Sequence, residues 1–462
     1  MERIETDLIG SLAVPADAYF GIHTQRAVNN FQITNTKLSD YPEFIKGMAY
    51  TKWAAAETNN QLGILDDKLK DAIVKACKEV ISGKYNDQFP CDMIQGGAGT
   101  STNMNANEVI SNIALEILGH KKGEYDYCSP YDHVNLSQST NDAYPTGAKL
   151  GIVFSNKILV EHLQKLVEAF RKKGNQYKHV LKMGRTQLQD AVPMTIDQEF
   201  GAFVSALEKE IKSLNNNADT LLEVNMGATA IGTGLNAVPG YADKCAQVLA
   251  QITGLGIYKA DNLIDATWDA SGFVAYSSAL KRLSVKLSKI CNDLRLLTSG
   301  PRCGLYEINL PAMQAGSSIM PGKVNPVIPE VVNQTCFKVM GNDLAVTMAA
   351  EAGQLQLNVM EPVIIESILQ SISILCNAMD CLRENCVEGI TVNEQHCENM
   401  VKHSIGIVTA LNPYIGYLNS TTIAKEALES GRSVYDLVLE KNVLSKEELD
   451  RILNPENMTG EN

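Results

Sequence analysis

The chain has no C-x-x-C pair, no H-x-x-x-H or similar spacing, and no uninterrupted apolar stretch long enough to span a bilayer. The first two absences argue against a zinc site and leave no cofactor or metal implied; the third argues against a membrane span. Eleven cysteines at wide, irregular spacings form an odd set that reads as reduced thiols, most of them small core residues. Basic residues are outnumbered, with 40 Lys and Arg against 53 Asp and Glu, and the net charge of −13 is relieved by no local basic patch. Such a surface repels phosphate backbones and anionic lipid, so neither nucleic acid nor membrane is an expected partner. The opening Met1-Glu2-Arg3-Ile4-Glu5-Thr6-Asp7 lacks the apolar core of a signal peptide, which makes a cytoplasmic location the expectation. No Gly/Ser linker, low-complexity tract or 20–50-residue repeat is present.

What remains is 462 residues, 45% apolar and 20% charged, the composition of a globular protein with two or three domains. Phe273, Tyr276, Leu280, Leu283, Leu287, Ile290, Leu294 and Leu297 recur at intervals of three and four. That spacing predicts one long packed helix of about 25 residues, roughly 37 Å, closed by Pro301. Ile365, Ile368, Ile372, Leu375, Met379 and Leu382 predict a second, with Pro362 in its first turn. Leu159, Leu163, Leu166, Val167 and Phe170, and then Phe200, Phe203, Leu207, Ile211 and Leu214, predict two more. Shorter periodic stretches lie around Tyr50 to Leu62 and Leu69 to Ile81. The expected fold class is all-α: an elongated central helical bundle over residues 141–392, a mostly helical N-terminal domain over 1–140 and a small helical C-terminal domain over 393–462. Seams this long need more partners than one chain offers, which favours an oligomer.

Five polar, glycine-rich segments interrupt the helical pattern: Gly96 to Asn107, Asn135 to Thr146, Met183 to Pro193, Gly227 to Gly240 and Gly316 to Pro326. Loops on a rigid scaffold carry function. Gly316-Ser317-Ser318-Ile319-Met320-Pro321-Gly322-Lys323-Val324-Asn325-Pro326 combines hinge residues, paired hydroxyls, a cation and an amide, the makings of a lid; by composition alone a surface turn is an equal alternative. Over all eleven positions it resembles the signature loop of the aspartase/fumarase superfamily. Further matches run along the chain: Val14 to Thr24, Gly96 to Glu108, Ser137-Gln138-Ser139-Thr140-Asn141-Asp142, Gly184 to Pro193 and Gly227 to Gly234. Fumarases more often carry Ser-Ser-Asn-Asp and Arg-Thr-His where this chain has Ser139-Thr140-Asn141-Asp142 and Arg185-Thr186-Gln187, so the resemblance is to the ammonia-lyase branch. Argininosuccinate and adenylosuccinate lyases match these segments poorly. Asp197 stands where that pattern has glycine.

The resemblance implies elimination of ammonia from L-aspartate to give fumarate, with no cofactor required and divalent-cation activation left open, in a homotetramer whose active sites are shared between subunits. It implies that Ser317 is the base, ionised by its surroundings, with Lys323 and nearby backbone N–H groups as sources of the field. Thr100, Ser139, Thr140 and Ser318 are implied around the β-carboxylate, Lys323 and Asn325 around the α-carboxylate, and Asn141, Thr186 and Gln187 around the amino group. Gln187, where relatives often have histidine, offers amide hydrogen bonding but no ionisable group. Arg185 reads as structural, and His23 and His133 as hydrogen-bonded loop residues rather than acids. The glycine-rich runs fail as nucleotide sites, because Gly96 to Thr100 lacks a P-loop lysine and no strand is predicted before Gly227.

Overall fold

The computed structural model describes residues 1–459, and it is mainly helical. The chain divides into two compact units. One comprises Met1–Val160, Lys212–Ser284 and Phe337–Leu375; the other comprises Glu161–Ile211, Val285–Cys336 and Cys376–Asn462.

Five helices exceed twenty residues and cross these boundaries in sequence: Thr140–Gln176, Ile196–Asp219, Ser271–Leu297, Val327–Glu351 and Glu361–Asn385. All eight seam residues from Phe273 to Leu297 are buried, as are Ile365, Ile368, Ile372, Leu375, Met379 and Leu382. The fourth of these helices, Val327–Glu351, has no counterpart in the sequence expectation. Pro329 sits in its first turn and apolar residues occur on every face, so it shows no single stripe. The helix around residues 361–389 is apolar and long enough to cross a bilayer by length and composition, although Glu366 and Asp380 leave no uninterrupted apolar run of that length in it. With 72% of its apolar window buried inside the protein, it reads as a core helix. Asp197 falls in the first turn of Ile196–Asp219, where the helix dipole favours a carboxylate.

In the first unit the helix Pro42–Gln61 lies tight against Thr140–Gln176. A Cβ on Gly47 would stand 2.1 Å from the Gly147 carbonyl oxygen, and one on Gly147 would stand 2.3 Å from Met48 Sδ, so glycine at both positions lets the backbones meet. Pro145 lies inside Thr140–Gln176 and has no N–H for the carbonyl of Asn141. Asn225 Nδ2 donates to that oxygen instead, at 3.0 Å. The segment Gly96 to Asn107 is a loop only to Gly99. From Thr100 the chain is helical to Ile117, and every residue from Ser101 to Leu115 is buried, among them Asn103, Asn105, Asn107 and Glu108. Glu108 accepts from the N–H groups of Gly21, His23 and Thr24 and from Thr24 Oγ1, satisfying the start of the helix Ile22–Asn30. Burial pushes its carboxyl up to about 7, against those bonds.

The strands are short and two to a sheet. Glu2–Asp7 pairs antiparallel with Gly10–Pro15, and Leu181–Thr186 with Gln189–Thr195. A two-residue strand, Glu223–Val224, precedes Gly227 where none was predicted; the run after it reaches its next helix only at Tyr241, so it still does not form a strand-loop-helix phosphate cradle. The C-terminal helices gather around Val401, Ile407, Leu411, Leu437, Val438 and Leu449 with Met183 of the second hairpin. Nine of the eleven cysteines are buried.

The base of that hairpin is held by buried charge. Lys182 Nζ lies 2.6 Å from Glu199 Oε2 and 2.8 Å from Glu307 Oε2, and Arg185 bonds the other oxygen of Glu307. Burial draws the Lys182 pKa down, but the two carboxylates outweigh it and the net shift is upward. Removing one member leaves the others uncompensated. Glu307→Ala is therefore expected to lower stability by about 3–5 kcal/mol, read as a fall in the urea midpoint, whereas a change below about 1 kcal/mol would show that solvent reaches the pair.

Candidate functional site

The implied site residues fall into two groups. Thr100, Ser139, Thr140 and Asn141 belong to the first unit, and Thr186, Gln187, Ser317, Ser318, Lys323 and Asn325 to the second.

In the first group, Thr100 opens one helix and Thr140 opens another. They are linked through Asn103, one turn after Thr100, whose Nδ2 donates to Thr140 Oγ1 at 3.1 Å. Ser139 Oγ accepts from the N–H of Asn141 at 3.2 Å. Thr100 differs: its hydroxyl donates to the Gly97 carbonyl at 2.8 Å, so that proton is already committed. Asn141 Nδ2 donates to the Ala230 carbonyl at 2.7 Å, which fixes the amide and leaves Oδ1 as an acceptor. Below these residues sit two buried charges that the sequence reading missed. Asp142 accepts from the N–H groups of Ser139, Gly227 and Thr229, holding the Gly227 loop against the helix start. Lys52 Nζ donates to Asn103 Oδ1, Asn135 Oδ1 and Gln138 Oε1 at 2.6, 3.1 and 2.9 Å. Burial raises the Asp142 carboxyl and lowers the Lys52 ammonium, and each resists the other's shift.

In the second group, Thr186 and Gln187 occupy the exposed tip of the Leu181–Thr195 hairpin. Thr186 pairs with Gln189, so the turn residues are Gln187 and Leu188, at φ +56° and +63°. Tight hairpin turns with two left-handed residues usually use Asn and Gly; glutamine and leucine there are strained, and such strain concentrates at functional sites. Arg185 bonds Glu307 and the Met183 carbonyl, in line with a structural role. His133 Nδ1 accepts from the Ser129 N–H at 2.8 Å, as a packed loop residue does.

The loop 316–326 closes on itself. The Lys323 N–H donates to the Met320 carbonyl across Pro321 and Gly322, and Gly322 has φ +80°, the pattern of a type II turn with proline and glycine in its favoured places. The Gly316 N–H donates to the Lys323 carbonyl at 2.8 Å, and Asn325 Nδ2 donates back to the Gly316 carbonyl at 2.5 Å. Asn325 thus staples the loop with one amide proton and retains the other. Ser317 Oγ accepts from the N–H groups of Ile319 at 3.2 Å and Met320 at 2.8 Å. Donors aimed at an oxygen favour its anion. Of the two sources of field expected for Ser317, the backbone supplies this one; among the described residues no hydrogen bond joins Lys323 Nζ to Ser317. Ser318 and Lys323 are exposed. Behind the loop lies a cavity of about 700 Å³ lined by Arg295, Ser299, Tyr306, Asn309, Lys323 and Asn325, among others.

A model of a lyase family matches residues 10–341, and one described as the fumarase C C-terminus matches residues 407–460. Aspartate ammonia-lyase of Pseudomonas canavaninivorans is 59% identical over 457 residues, 99% of this chain and 96% of that protein. That of Escherichia coli strain K12 is 57% identical over the same shares, and that of Helicobacter pylori is 58% identical over 99% and 97%. Among solved structures, a cobalt-bound protein from Brucella melitensis described as fumarate lyase:delta crystallin superposes with a TM-score of 0.94 at 50% identity, covering 98% of this chain and 99% of that one. A class II fumarase from Schistosoma mansoni gives 0.92 at 34% identity, covering 100% and 99%.

Gly316 tests the closed loop. A Cβ there would meet the Lys323 carbonyl oxygen at 2.5 Å and the Asn325 nitrogen at 2.8 Å. Gly316→Ala is expected to cut kcat on the enzyme's substrate by roughly 10²-fold, the cost of displacing reacting groups by about 1 Å, with the thermal midpoint unchanged. Normal turnover in that variant would mean that the closed form of the loop is not the one used.

Proposed function

The chain belongs to the aspartase/fumarase superfamily of lyases, and on that premise we propose that it is an aspartate ammonia-lyase in which Ser317 removes a proton from Cβ of L-aspartate. The observation that carries the reading is Ser317 itself, whose oxygen receives two backbone N–H groups from its own loop. The Cβ proton passes to the Ser317 oxygen, and its electron pair moves into the β-carboxylate to give an aci-carboxylate. That pair then returns as the Cα–Cβ double bond while the Cα–N bond breaks, releasing ammonia and fumarate. No cofactor takes part in these steps.

The remaining residues divide by chemistry. Hydroxyls at Ser139, Thr140 and Ser318 donate to the β-carboxylate, more strongly as its charge grows, which is the differential binding that accelerates the step. Thr100 joins them once its proton leaves the Gly97 carbonyl. Lys323 and the free amide proton of Asn325 hold the α-carboxylate. Asn141 Oδ1, Thr186 and Gln187 accept from the substrate ammonium; an acceptor-lined pocket there favours aspartate over malate.

The two groups come together in a homotetramer whose active sites draw on more than one subunit. Support comes from the helix Val327–Glu351, which exposes Phe337, Leu344 and Met348. Spacings of seven and four place these three on one helix face, and large apolar side chains left exposed together mark an interface.

Three measurements follow. Purified protein is expected to form fumarate from aspartate, seen in the ultraviolet, far faster than from malate; the reverse order would make it a fumarase. Ser317→Ala is expected to lower kcat by roughly 10³-fold or more while leaving the oligomer intact, and near-normal turnover would remove the proposed base. Leu344→Asp should shift the native mass from four chains to fewer and abolish activity together with it; a fully active smaller species would refute shared sites.

A further inference from the structure

Lys52 is fully buried, sits in an alanine-rich helix, and has no carboxylate within bonding distance. Its three acceptors are all neutral amide oxygens, from Asn103, Asn135 and Gln138. Three acceptors use all three protons of an ammonium, and a neutral amine has only two. Asp142 supports it only through space, so the buried charge remains expensive, and an apolar side chain would serve packing alone as well or better.

The bonds around Lys52 have one consistent direction. An ammonium only donates, so it turns the oxygen of each amide toward itself. Asn103 must then present Nδ2 on its other side, where it donates to Asn135 Oδ1 at 3.2 Å and to Thr140 Oγ1 at 3.1 Å. Asn135 and Gln138 are locked the same way, because their nitrogens donate to the carbonyls of Gln138, and of Val134 and Leu136. Thr140 Oγ1 therefore accepts from the protein, and among the described residues nothing takes its own proton.

We infer that Lys52 is a positioning residue: by fixing the Asn103 amide it compels the Thr140 hydroxyl to accept from the protein and so to give its proton to the substrate's β-carboxylate. Without the ammonium, Asn103 is free to turn its oxygen toward Thr140, and the hydroxyl proton is then spent inside the protein. The inference rests on the reading of this site as one that eliminates ammonia from aspartate.

A double-mutant cycle tests it, with kcat and KM for aspartate measured on the full-length oligomer of the wild type, Lys52→Met, Thr140→Val and the double variant. Each single change is expected to lower kcat roughly 10²-fold, as loss of one preorganised donor does, with KM moved far less. Because Lys52 acts through Thr140, the double variant should match the worse single to within about twofold. Losses that multiply, or a fall confined to KM, overturn the inference and leave the proposed reaction standing. A Thr140→Val enzyme with normal kcat removes the hydroxyl from the site and the inference with it, while a wild type inactive on aspartate defeats the reading beneath both. If Lys52→Met does not fold, Asn103→Ala in the same cycle carries the same outcomes.

Discussion

A hydroxyl whose oxygen already accepts from a protein donor keeps its own proton to give away, and that oxygen is better able to hold a negative charge. Three of the hydroxyls proposed to meet the substrate are in that state. Ser317 receives two backbone N–H groups, Ser139 receives one from Asn141, and Thr140 receives the Asn103 amide. In water such an arrangement has little value, because solvent competes for each oxygen; in a closed, dry site the same dipoles act without having to reorganise. The proposed reaction concentrates charge on two oxygens of a carboxylate and takes its base from a residue that is normally a weak one. Aiming donors before the substrate arrives would serve both needs.

Much of the scaffold was legible in the residues. The seam from Phe273 to Leu297 could be read because one face of one helix carries it at a constant interval, and the hydrophobic effect acts on that interval directly. Val327–Glu351 escaped because residues such as Phe337 and Leu344 make it apolar where a solvent-facing side would be polar. The loop 316–326 was legible as a family segment through its eleven matched positions, but its internal staple was not: Asn325 reaching back to Gly316 depends on the turn at Pro321 and Gly322.

Lys52 and Asn103 mark the limit. A lysine beside Ala54, Ala55 and Ala56 reads as a solvated position, and an asparagine run such as Asn103 to Asn107 reads as a loop, because both residue types are usually exposed. Their meaning lies in partners 51, 83 and 86 positions away along the chain from Lys52. The close approach of Gly47 to Gly147 seats the helix that carries Lys52, and Asn225 repairs the helix start that Pro145 interrupts. Both are packing events that no local pattern encodes. The strained tip at Gln187 and Leu188 is a similar case, since glutamine and leucine give no warning of a left-handed turn.

The central claim is that these donors are tuned to a β-carboxylate carrying an extra electron pair, more than to aspartate itself. The most direct test is the affinity of 2-amino-3-nitropropionate, whose deprotonated nitronate is planar and isoelectronic with the aci-carboxylate, with a formal negative charge on each oxygen, measured as competitive inhibition of aspartate turnover. The account requires the nitronate to bind at least about 10²-fold more tightly than aspartate. Equal affinity for the two would contradict it.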